Sequence, residues 1–156
     1  MSGSVSQTLL VALARSDPYV RSTVTGTSAG IGQASVKEVI AAGERVAAIT
    51  RKTSSLSELS ASYPSDKLLV LQHDVGNPSH SAEALFENVH KHFGRIDVVV
   101  NNAGYGLNSV VEATSDEDAR YQFEVNFWGA VRISREVGTC RYRPNTSVSL
   151  ITFLGR

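Results

Sequence analysis

With one cysteine, Cys140, the chain has no means of closing a disulfide within itself, which fits a reducing compartment and leaves stability to apolar burial. It also lacks an excess of either charge. Fifteen Lys and Arg balance fifteen Asp and Glu, which gives no sign of attraction to nucleic acid or to a membrane and leaves a local basic site open. No apolar run approaches the roughly 20 residues that a bilayer-spanning helix needs. Leu9–Ala14 ends in Ala12-Leu13-Ala14, faintly like a signal-peptide cleavage site, but no positive charge precedes it and the run is too short. A cytoplasmic, soluble protein is expected. Ligand-spaced histidines are missing too: His90 and His92 point apart on a helix, and His73 and His80 have no companions, so no metal site is expected. Finally, no lysine follows Lys91.

What is present is ordinary for a globular domain: 42% hydrophobic and 19% charged residues in 156. From residue 20 onward, short apolar runs alternate with helical periods, the pattern of β-α-β units on a parallel sheet. Tyr19–Thr25 reads as a first strand, diluted by Arg21, Ser22 and Thr23. Ile31–Ala42 reads as a helix stopped by Gly43, Arg45–Thr50 as a second strand, Thr53–Ser62 as a short polar helix or loop, and Lys67–Gln72 as a third strand. Asn77 as cap and Pro78 in the first turn predict a helix with Ala82, Leu85, Phe86, Val89 and Phe93 on one face and Gly94 at its end. Ile96–Asn101 is the fourth strand. Ser115 and Asp118 open a long helix through Val137, on which Phe123, Phe127 and Trp128 read as packing residues, and Val148–Leu154 reads as a fifth strand. The domain division is an N-terminal extension over 1–18 and a single domain over 19–156, with a divergent tail over 138–156.

Between the first strand and helix lies Thr25-Gly26-Thr27-Ser28-Ala29-Gly30-Ile31-Gly32. Glycines there let the backbone turn sharply and let phosphate oxygens approach without a Cβ in the way. The helix start beyond supplies unpaired N–H groups and the positive dipole end. Three glycines alone are a weak signal, but a strand before, a helix after and a second strand beyond make a dinucleotide's pyrophosphate the expected guest. The end of the second strand bears on which dinucleotide. An acid there would bind a ribose 2′-OH, whereas this chain has Thr50-Arg51-Lys52 and no acid until Glu58. A guanidinium pairs strongly with a 2′-phosphate, which favours NADP over NAD; the alternative is that Arg51 is a solvated loop residue.

Thr25-Gly26-x-x-x-Gly30-Ile31-Gly32, Asp74-Val75, Asn101-Asn102-Ala103-Gly104 and Asn126 in Asn-Phe-Trp-Gly together resemble the short-chain dehydrogenases/reductases in order and spacing across residues 20 to 137. The resemblance implies a Rossmann-like, doubly wound α/β parallel sheet, here incomplete, with about five strands and helices on both faces. It implies that Gly26, Ser28, Gly30, Ile31 and Gly32 line the pyrophosphate and its ribose. Asp74 would reach the adenine amino group with Val75 beside it, and Asn101, Asn102, Ala103 and Gly104 would close the fourth strand against the cofactor's sugar. Asn126 matches the family's active-site asparagine, which holds a water in a proton relay toward a lysine.

In that family, reduction of a carbonyl or oxidation of an alcohol also needs a serine and a Tyr-x-x-x-Lys downstream of the asparagine. With no lysine after Lys91, these residues hold no such pair. Tyr63-Pro64-Ser65-Asp66-Lys67 has the spacing but precedes the third strand, at the wrong end of the sheet, and reads as a decoy. Thr152 falls about where the serine is expected. Gly138 to Pro144 breaks the helical period, so the tail after Val137 reads as altered, as by a retained intron or frameshift, leaving apolar sheet edge exposed and folding marginal unless a partner covers it. The expected function is an NADP(H)-dependent oxidoreductase on a small-molecule alcohol or carbonyl, in a form lacking catalysis. The alternatives are a non-catalytic nucleotide-binding protein pairing with a full-length relative, and a fragment without function. A homo-oligomer stays open.

Overall fold

A computed structural model describes residues 20–139 and 148–153. Five strands form one sheet: β1 (Arg21–Thr25), β2 (Arg45–Thr50), β3 (Leu68–Gln72), β4 (Val98–Asn101) and β5 (Ser149–Thr152), in the order β3-β2-β1-β4-β5. Every pairing is parallel, with Thr23 opposite both Ala47 and Val99, and Asn101 opposite Thr152. The helices are α1 (Gly30–Ala41), α2 (Ser57–Ser62), α3 (Ala82–Phe93), α4 (Asp116–Phe123) and α5 (Ala130–Val137). Parallel strands need crossovers, and the helices that supply them cover both faces. Val36, Val39 and Leu59 pack on one side against Val24, Val46 and Val100. Leu85, Phe86, Val89 and Ile133 pack on the other against Ala47, Ile49 and Val99. The chain leaves β1 toward β2 on one side and reaches β4 on the other, so the order of strand addition reverses between β1 and β4, and the crevice this creates lies at the strands' C-terminal ends.

β1 is the least apolar strand and yet is central, with Ser22, Thr23 and Thr25 all buried. Thr25 repays its burial: its Oγ1 accepts from the N–H groups of Asn102 (3.1 Å) and Ala103 (3.0 Å), tying the end of β1 to the end of β4. The Thr23 hydroxyl has no hydrogen-bond partner among the described residues. An unsatisfied buried hydroxyl costs about 1–3 kcal/mol, and valine has the same shape without it. Thr23→Val is therefore expected to raise the urea midpoint, by an amount equivalent to about 1 kcal/mol; a lowered midpoint would show that the hydroxyl is solvated or bonded in solution.

Two sequence expectations are corrected. The helix expected to start at Asn77-Pro78 starts at Ala82, capped by Ser81, whose Oγ accepts from the Ala84 N–H at 3.1 Å. Asn77 spends its Oδ1 on the Ser79 N–H (2.9 Å) in a local turn instead. The long helix from Ser115 is not uniform: Ser115 does cap it, accepting from the Asp118 N–H at 3.0 Å, but Glu124–Gly129 between α4 and α5 is a π-helical turn. The fifth strand forms, and Leu150 on it is 44% exposed at the edge of the sheet. The 1–18 extension and Cys140 to Pro144 of the tail lie outside the described residues, as does Leu154.

Candidate dinucleotide site

The loop after β1 is shaped by two glycines for different reasons. Gly26 has φ +69°, and a Cβ on it would lie 2.6 Å from the Ala103 Cα. Gly32, in the first turn of α1, has Gly26's carbonyl oxygen and the Asn102 amide nitrogen each 2.4 Å from where its Cβ would be. Asn102 holds this arrangement together: its Nδ2 donates to the carbonyls of Thr25 (2.8 Å) and Gly26 (3.1 Å). Thr27, fully buried beneath the loop, donates through both its N–H (3.2 Å) and its Oγ1 (3.0 Å) to the Ile49 carbonyl. The loop is thus fixed to β2 and β4 before any ligand arrives. Gly30, with φ +59°, has nothing within 4 Å of its Cβ position and faces open space.

That space is a cavity of about 580 Å³ at the C-terminal ends of the strands, within the range usual for cofactor pockets. Gly26, Ser28, Gly30, Ile31 and Gly32 line it from the loop, Arg51 from the end of β2, Asp74 and Val75 from the end of β3, and Asn102, Ala103 and Gly104 from the end of β4. All the residues that the sequence singled out for a cofactor except Asn101 therefore come together around one cavity; Asn101 is buried and donates its Nδ2 to Ser134 Oγ at 3.1 Å. Tyr105, Val125, His73 and Phe153 also line it, and the sequence reading missed them. Tyr105 directly follows the Asn-Asn-Ala-Gly tract, and His73 directly follows β3, so strand ends were the available signal.

The β3 end is held from several sides. The Asp74 N–H donates to His80 Nδ1 (3.0 Å), its Oδ1 accepts from the Gly76 N–H (2.9 Å), and its Oδ2 accepts from the Tyr121 hydroxyl (3.2 Å). Arg132 of α5 donates to the Val75 carbonyl (2.7 Å) while pairing with Glu124 (3.0 Å). A Cβ on Gly129 would sit 2.9 Å from that same carbonyl, so the π turn is pressed directly on this loop. Buried His73 stacks at a tilt on His80, ring centroids 5.4 Å apart. Burial first, and then the neighbouring His80, holds its imidazole below the ordinary 6.5, so it is neutral near pH 7.

Asn126 sits within the π turn, and single π turns often mark functional positions. Its amide is committed to the Tyr105 backbone: Oδ1 accepts from the N–H (3.0 Å) and Nδ2 donates to the carbonyl (2.7 Å). The side chain thereby fixes the loop just past Gly104. Tyr105 is no evident substitute for the family's tyrosine. No lysine follows it in the sequence, and that is the partner the resemblance requires for the tyrosine to give or take a proton. Thr152 does not line the cavity; its Oγ1 accepts from the Asn101 amide at 3.5 Å, and Phe153 is the residue of this segment that reaches the site. Lys67 of the decoy donates to the Gly43 carbonyl ahead of β2, at the opposite end of the sheet. Among the described residues no three His, Cys, Asp or Glu side chains gather as a metal site, and no helix is long and apolar enough to cross a membrane.

Comparison with known proteins agrees with this architecture. The family model described as short chain dehydrogenase matches residues 22–145. The oxidoreductase calM of Penicillium decumbens is 44% identical over 115 residues, 71% of this chain and 37% of the relative. An uncharacterized oxidoreductase of Schizosaccharomyces pombe, C162.03, is 38% identical over 113 residues, 72% of this chain and 37% of the relative. The crystal structure of a short-chain dehydrogenase from Streptomyces avermitilis superposes with a TM-score of 0.77 at 32% identity, over 88% of this chain and 50% of that one. The chain thus spans about two-fifths or less of these curated relatives and half of the solved structure. On the matched family model, the five-stranded parallel sheet and the glycine loop at its crevice, the chain belongs to the short-chain dehydrogenase family.

Proposed function

We propose that the chain is the nucleotide-binding part of an NADP(H)-dependent oxidoreductase acting on a small-molecule alcohol or carbonyl in the cytoplasm. The observation that carries this is the single cavity on which the glycine loop, Arg51 and Asp74-Val75 converge. The residues fit the group. Gly30 faces open space at the start of α1, where a pyrophosphate gains the helix's unpaired N–H groups. At the other end, Asp74 offers carboxylate lone pairs, and the Val75 N–H has no partner among the described residues. An acceptor beside a donor matches the amino group and N1 of adenine. Arg51 is exposed at the rim, where a 2′-phosphate would meet it. When bound, the nicotinamide supplies a hydride to, or takes one from, the substrate carbon.

Residues 1–156 themselves hold no lysine beyond Lys91, and Phe153 rather than a hydroxyl reaches the cavity from β5. These residues alone are therefore expected to bind without turnover, which also favours the second reading, a non-catalytic binding protein that pairs with a complete relative. Titration with NADPH and NADH, followed by a 340 nm assay with a panel of carbonyl compounds, separates the readings. Arg51→Ala should weaken NADPH about tenfold, the scale of one charge-assisted hydrogen bond, and leave NADH nearly unchanged. Equal effects on the two would remove the case for NADP. Carbonyl-dependent oxidation by residues 1–156 would overturn the absence of turnover.

A further inference from the structure

We propose that Tyr121 is a positioning residue for the nucleotide base: its hydroxyl orients the Asp74 carboxylate and so sets a preference for adenine over other purines. The inference rests on the dinucleotide reading above. Asp74 lies in no helix or strand, in the segment following β3, and a terminal carboxylate torsion is broad. Two hydrogen bonds fix it here. Oδ1 takes the Gly76 N–H from within the turn, and Oδ2 takes the Tyr121 hydroxyl from α4, 47 residues along the chain. Each oxygen keeps a second lone pair, so the carboxylate is held in orientation and remains able to accept.

Tyr121 is placed for this by packing that the hydroxyl does not need. Its ring edge lies 3.3 Å from the position of a Cβ on Gly76, beside Val125 Cγ2 at 2.5 Å, so glycine lets the turn approach the π turn and the end of α4 this closely. The ring also lies 6.3 Å from that of Tyr105, centroid to centroid. A phenylalanine would keep these contacts and lose only the hydrogen bond. The base edge supplies the specificity. Adenine presents an amino donor and an N1 acceptor, matching the carboxylate and the Val75 N–H, whereas hypoxanthine presents a carbonyl and an N1–H, the reverse of both. A fixed carboxylate rewards the first and rejects the second; a freely rotating one discriminates less.

The test is calorimetric titration of wild type, Tyr121→Phe, Asp74→Ala and the double variant with NADPH and with its hypoxanthine analogue, alongside thermal unfolding. Tyr121→Phe should weaken NADPH about fivefold and change the analogue by less than about twofold. In Asp74→Ala, adding Tyr121→Phe should have no further effect on NADPH, because the acceptor through which it acts is gone. An equal loss for both dinucleotides would make Tyr121 a purely structural residue and overturn the proposal, as would no change for either. Wild type binding neither dinucleotide would instead bring down the dinucleotide reading, and this inference with it.

Discussion

Gly32→Ala is expected to abolish measurable NADPH binding, a loss of at least about 100-fold, whereas Gly30→Ala should cost less. The contrast is the informative part. In a helix's first turn, alanine normally improves on glycine by up to about 1 kcal/mol. At Gly32 that gain is overwhelmed, because the new Cβ would stand 2.4 Å from both the Gly26 carbonyl oxygen and the Asn102 amide nitrogen. Neither atom can give way cheaply. The carbonyl is backbone of the loop itself, and the amide is holding Thr25 and Gly26 through hydrogen bonds of 2.8 and 3.1 Å. The loop must therefore open, and its N–H groups lose their common aim. Gly30 has the less forgiving φ, +59°, but no protein atom within 4 Å, so alanine there leaves the loop closed and adds backbone strain of about 1 kcal/mol and a methyl group on the side where the pyrophosphate would lie. Isothermal titration with NADPH on both variants decides it. Comparable affinity for Gly32→Ala and wild type would mean that the loop is not the phosphate cradle.

The loop could be read in the sequence because its logic is local: strand, glycines and helix are consecutive. The same holds for β2, where Arg45-Val-Ala-Ala-Ile-Thr50 is bounded as expected, since a strand buried on both faces leaves a nearly continuous apolar run. β1 was harder to judge because its polar residues are buried for tertiary reasons; Thr25 spends its hydroxyl on residues 77 and 78 positions away. The start of α3 shows two legitimate caps competing, Asn77 and Ser81, with the earlier one, Asn77, diverted into a turn. The π turn left no trace in the helical period. It exists where Gly129 meets the Val75 carbonyl and Arg132 reaches across to the same atom, contacts no spacing rule contains. For the same reason Asp74 was legible as a site residue while Tyr121, its hydroxyl partner from α4, was not.

Asp97→Ala should destabilise the fold by about 3–5 kcal/mol, the cost typical of removing one partner from a buried ion pair. Asp97 is 4% exposed at the N-terminal end of β4, away from the cavity. Its Oδ2 accepts from the Arg21 N–H (2.9 Å) and from Arg95 Nε (3.2 Å), with the Arg21 guanidinium 3.8 Å away. Its backbone adds a bond in each direction, to the Arg21 carbonyl and from the Ser149 N–H, both 2.9 Å. The residue thus fastens β1, β4 and β5 at one end, where an edge strand has the least else to hold it. An exposed pair would be worth at most about 1 kcal/mol, so the measured loss discriminates between a shielded and a solvated carboxylate. Against a typical total of about 5–15 kcal/mol, the buried value removes much of the margin. Asp97→Asn, which keeps an acceptor for the Arg21 N–H, should lose less. Urea unfolding of the two variants measures both. Because the change lies at the opposite end of the sheet from Gly26 and Asp74, the fraction that remains folded should bind NADPH as tightly as wild type; a weakened affinity there would mean that the two ends of the sheet are coupled.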